Sequence, residues 1–63
     1  MYVLGNPPRT SSEAFDALDN VFGSEEFSAS DAETVLEEVM DFEPGRAHNE
    51  LNRLLRSGAI EEV

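Results

Sequence analysis

Leu51-Asn52-Arg53-Leu54-Leu55-Arg56-Ser57-Gly58-Ala59-Ile60 is the stretch on which the fold turns. With Ala47 one turn upstream, its leucines recur at helical spacing, and Gly58 then stops the helix. Counting 100° per residue from Arg46, Ala47, Leu51, Leu54 and Leu55 span roughly 80° to 180°. Arg46, Asn49, Asn52, Arg53 and Arg56 span roughly 240° to 360°, the opposite side. The spacing therefore predicts a two-faced helix. Pro44 opens it, where a missing N–H costs nothing. It runs to about Ser57, and residues 59–63 follow at once as a strand.

Upstream, Asp41-Phe42-Glu43-Pro44-Gly45 interrupts regular structure. Before it, Ala32, Val35, Leu36, Val39 and Met40 recur at i, i+3, i+4, i+7 and i+8, the cleanest helical period in the chain. Ser30 and Glu33 have the spacing of a capping box, and Asp31 suits the positive end of a helix. Phe27 anchors a short extended piece. An earlier helix carries Ala14, Phe15, Leu18, Val21 and Phe22 on one face. A second capping box, Thr10 to Glu13, opens it, and Gly23 closes it in a left-handed cap. Asn6-Pro7-Pro8-Arg9 is an extended linker, because proline cannot continue regular structure there. Tyr2-Val3-Leu4 reads as a short strand closed by Gly5.

The order is strand, helix, short strand, helix, turn, helix, strand. Sixty-three residues make one small α+β domain, residues 1–63. A chain of this size buries only about 60% of its unfolded surface, so its core is thin. There is no cysteine, hence no disulfide and no thiolate metal site. No apolar run is long enough to span a membrane, and the first residues lack the basic region of a signal peptide. A cytoplasmic location is expected.

Charge is distributed unevenly. Three of the four arginines, Arg46, Arg53 and Arg56, fall within eleven residues that hold one acid, Glu50. That stretch carries +2 and the remainder −12, within a formal net charge of −10. All four basic residues are arginine, against fourteen acids. Abundant carboxylate with no lysine resembles the proteomes of halophilic archaea. At 1 M salt the Debye length is about 3 Å, so repulsion among surface carboxylates is largely screened.

On the quoted stretch the chain resembles the winged helix-turn-helix family, over about residues 15–63. Such domains carry this leucine spacing in the recognition helix, end it at a glycine and enter the wing through an apolar residue such as Ile60. The resemblance implies three helices, a small two- or three-stranded sheet and a truncated wing. It sets residues 30–40 as the supporting helix and Phe27 as the short strand between the first two helices. It sets Arg46, Asn49, Asn52, Arg53 and Arg56 at recognition-helix positions. The chemistry agrees: arginine forks match phosphate oxygens and the guanine edge, and asparagine matches adenine.

Two features depart from the family. The family turns a hairpin after its first wing strand, whereas this chain ends at Val63; residues 2–4 are expected to pair with 59–62 and supply the missing strand. Glu33, Glu37, Glu38, Asp41 and Glu43 surround the turn, where a DNA backbone would pass, and like charges there oppose binding.

Two functions follow. One is a small transcription-regulator-like protein that binds double-stranded DNA through the third helix. The other is a protein-interaction module of the same fold that binds no nucleic acid. If Glu37, Glu38 and Glu43 ring Arg53, the second gains; if they point away, the first does. A solvated helix face, with Glu50 pairing Arg46 or Arg53 and arginines binding an acidic surface together, is the bland account of the cluster. An open strand edge also leaves room for a homodimer with two recognition helices. His48, the sole histidine, has no partner for metal or catalytic chemistry and is expected at the edge of the apolar face, against Leu51 or Leu55. Phe42 either plugs the core from the side or offers a contact to a partner. The serines show no nucleophile motif and there is no glycine-rich phosphate loop, so no enzyme activity, cofactor or metal is expected.

Overall fold

The computed structural model describes residues 1–10 and 12–63. Strand β1 (Tyr2–Leu4) leads to helices α1 (Glu13–Phe22), α2 (Ala29–Val39) and α3 (Pro44–Ser57), and strand β2 (Ile60–Glu62) follows. The fold is a small α+β arrangement, and among the described residues no helix is long and apolar enough to cross a membrane.

β1 pairs antiparallel with β2 in the register Tyr2↔Glu62, Val3↔Glu61, Leu4↔Ile60. The expected closure of the first strand on the last is thus present. On its other side, Tyr2 exchanges both backbone hydrogen bonds with Phe27, at 2.8 and 2.9 Å. β1 therefore lies between Phe27 and β2, although the β1–Phe27 contact is a single bridge. Leu18, Phe27, Leu36 and Ile60 are the largest fully buried side chains, one from each of α1, the bridge, α2 and β2. Burying a leucine of this kind contributes about 1.5–3 kcal/mol.

The helices start elsewhere than the capping patterns predict. Ser12, not Thr10, caps α1, its Oγ accepting from the Phe15 N–H at 3.1 Å. Ser11, inside the predicted box, lies outside the described residues. Ser28, not Ser30, caps α2, its Oγ accepting from the Asp31 N–H at 3.0 Å. The reason is tertiary. The bridge holds Phe27 extended, so the next residue is the first free to cap. Ser30 is already helical, and its carbonyl accepts from Thr34 Oγ1. Local spacing alone cannot choose among neighbouring serines.

Other differences lie at helix ends. Val21 and Val39, expected in the core, are 50% and 58% exposed. Each sits in the last turn of its helix. Next to Val21, Phe22 makes the core contact instead by stacking on Phe27, centroids 4.5 Å apart. Beyond Val39, Met40 and Phe42 pack against the core. Ala17, absent from the predicted face, is buried. Gly23 has φ 57° and ψ −119°, a positive φ but not the left-handed helical cap expected. Its N–H bonds Asp19 O, and the chain then turns so that the Glu25 N–H reaches Phe22 O. Gly58, at φ 83° and ψ 3°, is the left-handed cap, and Pro44 opens α3 as predicted.

Candidate nucleic-acid interface

α3 separates its residues as its periodicity dictates. Ala47, Leu51 and Leu54 are buried, and Leu55 packs partly against the core. Arg46, Asn49, Arg53 and Arg56 are exposed; Asn52 is half-buried, nearer the edge of that face than its centre. The helix has 14 residues, hence a length of about 21 Å. It follows α2 after the short turn 40–43, and the two helices pack together.

The arginines have different surroundings. Arg46 lies over the Phe42 ring, its guanidinium carbon 4.2 Å from the centroid. Phe42 is itself half-buried against the core, so it plugs the core from the side and also supports a cation. Arg53 Nη1 donates to Glu50 Oε1 at 3.1 Å. Its side chain is 76% exposed while that of Glu50 is 22%. Among the described residues this is the only arginine–carboxylate ion pair; Arg9, Arg46 and Arg56 have none. In a chain with fourteen acids, that argues against arginines recruited to hold an acidic surface together.

Arg46 and Arg53 overlook a groove of about 590 Å³ whose apolar lining includes Met40, Phe42 and Leu54. Pro8, Thr10 and Ser12 also line it. The acids in its lining are Glu13 and Glu50. Glu37, Glu38 and Glu43 do not line it. Glu37 is half-buried on α2, and Glu38 and Glu43 are exposed.

His48 does not pack at the apolar edge as expected. Its side chain is 60% exposed, with Nδ1 3.4 Å from Glu33 Oε2. The ring is polar and α2 offers a carboxylate beside it, so the outward position satisfies a hydrogen bond that leucines could not.

The periodicity of α3 placed the arginines and asparagines on one side of the helix but missed the linker that faces them. The one sequence signal for it was Pro7-Pro8, which stiffens the connection. No protein family model, curated protein or solved structure matches this chain.

Proposed function

We propose that this is a small cytoplasmic DNA-binding protein of winged helix-turn-helix type, regulating transcription in a halophilic archaeon. α3 is the reading helix. Arg46, Arg53 and Arg56 take phosphate oxygens or guanine, and Asn49 and Asn52 take adenine. One observation supports this most strongly. α3 buries its apolar residues and leaves its arginines outward, and two of its three arginines carry no carboxylate partner among the described residues. The pairing of β1 with β2 on one side and its bridge to Phe27 on the other are compatible with the small sheet of that fold.

Long-range steering has no part in this reading. A net charge of −10 repels DNA in dilute buffer. In molar salt that repulsion is screened, and so is the counterion-release gain from phosphate contacts. Short-range contacts from α3 then dominate, which suits a surface of few arginines interleaved with asparagines.

The test is fluorescence anisotropy in molar KCl. A random-sequence duplex pool is enriched on the protein first, and the enriched duplexes are then titrated with wild type and Arg53→Ala. Saturable binding weakened by the substitution is expected. No binding to any duplex would refute the proposal.

One observation favours the second reading, a protein-interaction module. The Glu50–Arg53 pair and Glu13 share a groove floored by Met40, Phe42 and Leu54, a surface suited to an apolar side chain. Saturable binding of a protein with no duplex affinity would decide for it.

A further inference from the structure

We infer that Arg9, with the stiff arm that carries it, extends the DNA contact surface of α3 and takes a backbone phosphate of the same duplex. This rests on the proposed DNA binding.

The arm has a fixed course. The Gly5 N–H donates to Ala59 O at 2.7 Å. A Cβ at Gly5 would lie 2.9 Å from Gly58 O and 3.1 Å from Glu61 Cγ. Glycine is thus what lets the chain pass against the end of α3. Pro7 and Pro8 then restrict the backbone. Pro8, Thr10 and Ser57 line the groove that Arg46 and Arg53 overlook. The same Pro8, Thr10 and Ser57 line a second groove of about 550 Å³, and Arg9 lines it too. The two grooves thus share Pro8, Thr10 and Ser57 in their lining. Arg9 is distant from the arginine cluster in sequence and close to its surface in the fold.

The contrast in charge with the rest of the surface favours an anion here. Arg9 is exposed and has no ion pair among the described residues. The two grooves hold three arginines and three glutamates, Glu13, Glu50 and Glu61, and Arg56 adds a further charge on α3. The other eleven acids of the chain lie outside these grooves, where Arg56 is the one remaining arginine. This is where the surface is least hostile to phosphate. Phosphate contacts set register and carry no base information. Arg9 therefore contributes affinity equally on every sequence.

The experiment compares full-length wild type, Arg9→Ala, Arg9→Lys and Arg53→Ala on the enriched duplex and on a scrambled one, over a KCl series. Circular dichroism confirms that each variant is folded. Arg9→Ala is expected to weaken both duplexes equally at each KCl concentration, most at the low end of the series, and to reduce the salt slope by about 0.9. Arg9→Lys, which keeps the charge, should restore that slope. If Arg9→Ala matches wild type in affinity and slope while Arg53→Ala loses binding, the role of Arg9 is overturned and the α3 reading stands. If wild type binds neither duplex, both fall.

Discussion

The guanidinium carbon of Arg46 lies 4.2 Å from the centre of the Phe42 ring. A turn residue thus lies beneath a helix residue whose charge has no carboxylate partner among those described. Phe42→Leu keeps an apolar plug but removes the π-face. It should cost about 0.5–1 kcal/mol, the usual worth of such a pair near the surface. Urea denaturation in high salt measures this. On DNA, Phe42→Leu should reproduce part of the loss caused by Arg46→Ala; unchanged affinity would mean that the ring does not position the arginine.

Glu50 holds Arg53 at 3.1 Å and brings a negative charge into the groove. Glu50→Gln should leave stability within about 0.5 kcal/mol, since exposed i,i+3 pairs contribute little. The same change should tighten DNA binding, by freeing Arg53 and removing a charge that opposes phosphate. Anisotropy titration reads the effect. Weaker binding would show that Glu50 orients Arg53 rather than quenches it.

The observed caps make a four-variant comparison. Ser12→Ala and Ser28→Ala should each cost about 1 kcal/mol, the usual loss for an N-cap hydroxyl. Thr10→Ala and Ser30→Ala, the positions that sequence spacing favours, should stay within about 0.5 kcal/mol. Thermal melts of the four proteins would reverse the assignment if the order came out the other way.

Gly5 and Gly58 resist substitution for different reasons. Gly5→Ala meets Gly58 O at 2.9 Å, a backbone atom that cannot step aside. Gly58→Ala meets nothing within 4 Å but must hold φ 83°. The second should cost about 1–2 kcal/mol, and Gly58→Asn less, because asparagine tolerates the left-handed region. Gly5→Asn should gain no such relief. Equal behaviour of alanine and asparagine at position 58 would rule out backbone strain as the cause.

Fourteen acids face four arginines, with one arginine–carboxylate pair among the described residues. Repulsion is therefore largely uncompensated in dilute buffer. The urea midpoint should rise as KCl increases from millimolar to molar, because screening removes that repulsion. A midpoint that is flat or falls with KCl would end the halophile proposal.

Much of α3 was legible in advance. Its span from Pro44 to Ser57, its stop at Gly58, and the opposition of Ala47, Leu51 and Leu54 to Arg46, Asn49, Arg53 and Arg56 follow from a 3.6-residue period that needs no partner. The antiparallel pairing of residues 2–4 with β2 agrees with the expectation that they supply the partner strand that the resemblance calls for. The caps of α1 and α2 were misread, because Thr10, Ser12, Ser28 and Ser30 offer the same hydroxyl within two residues of each other. His48 was misplaced for a similar reason. Its angle on the helix was right, but the carboxylate that draws it outward belongs to α2.

Sequence by itself determined which residues share a face of each helix, since neighbours three and four apart meet whatever the rest of the chain does. Only the tertiary structure decided which serine caps, which arginine is paired among the described residues, and that Arg9 shares a groove with Ser57 at the end of α3. Those outcomes depend on atoms brought together from distant parts of the chain: the Phe27 bridge to Tyr2, the Phe42 ring under Arg46, and the close pass of Gly5 against Gly58. A linear pattern carries the period of an element but not the identity of what packs against it.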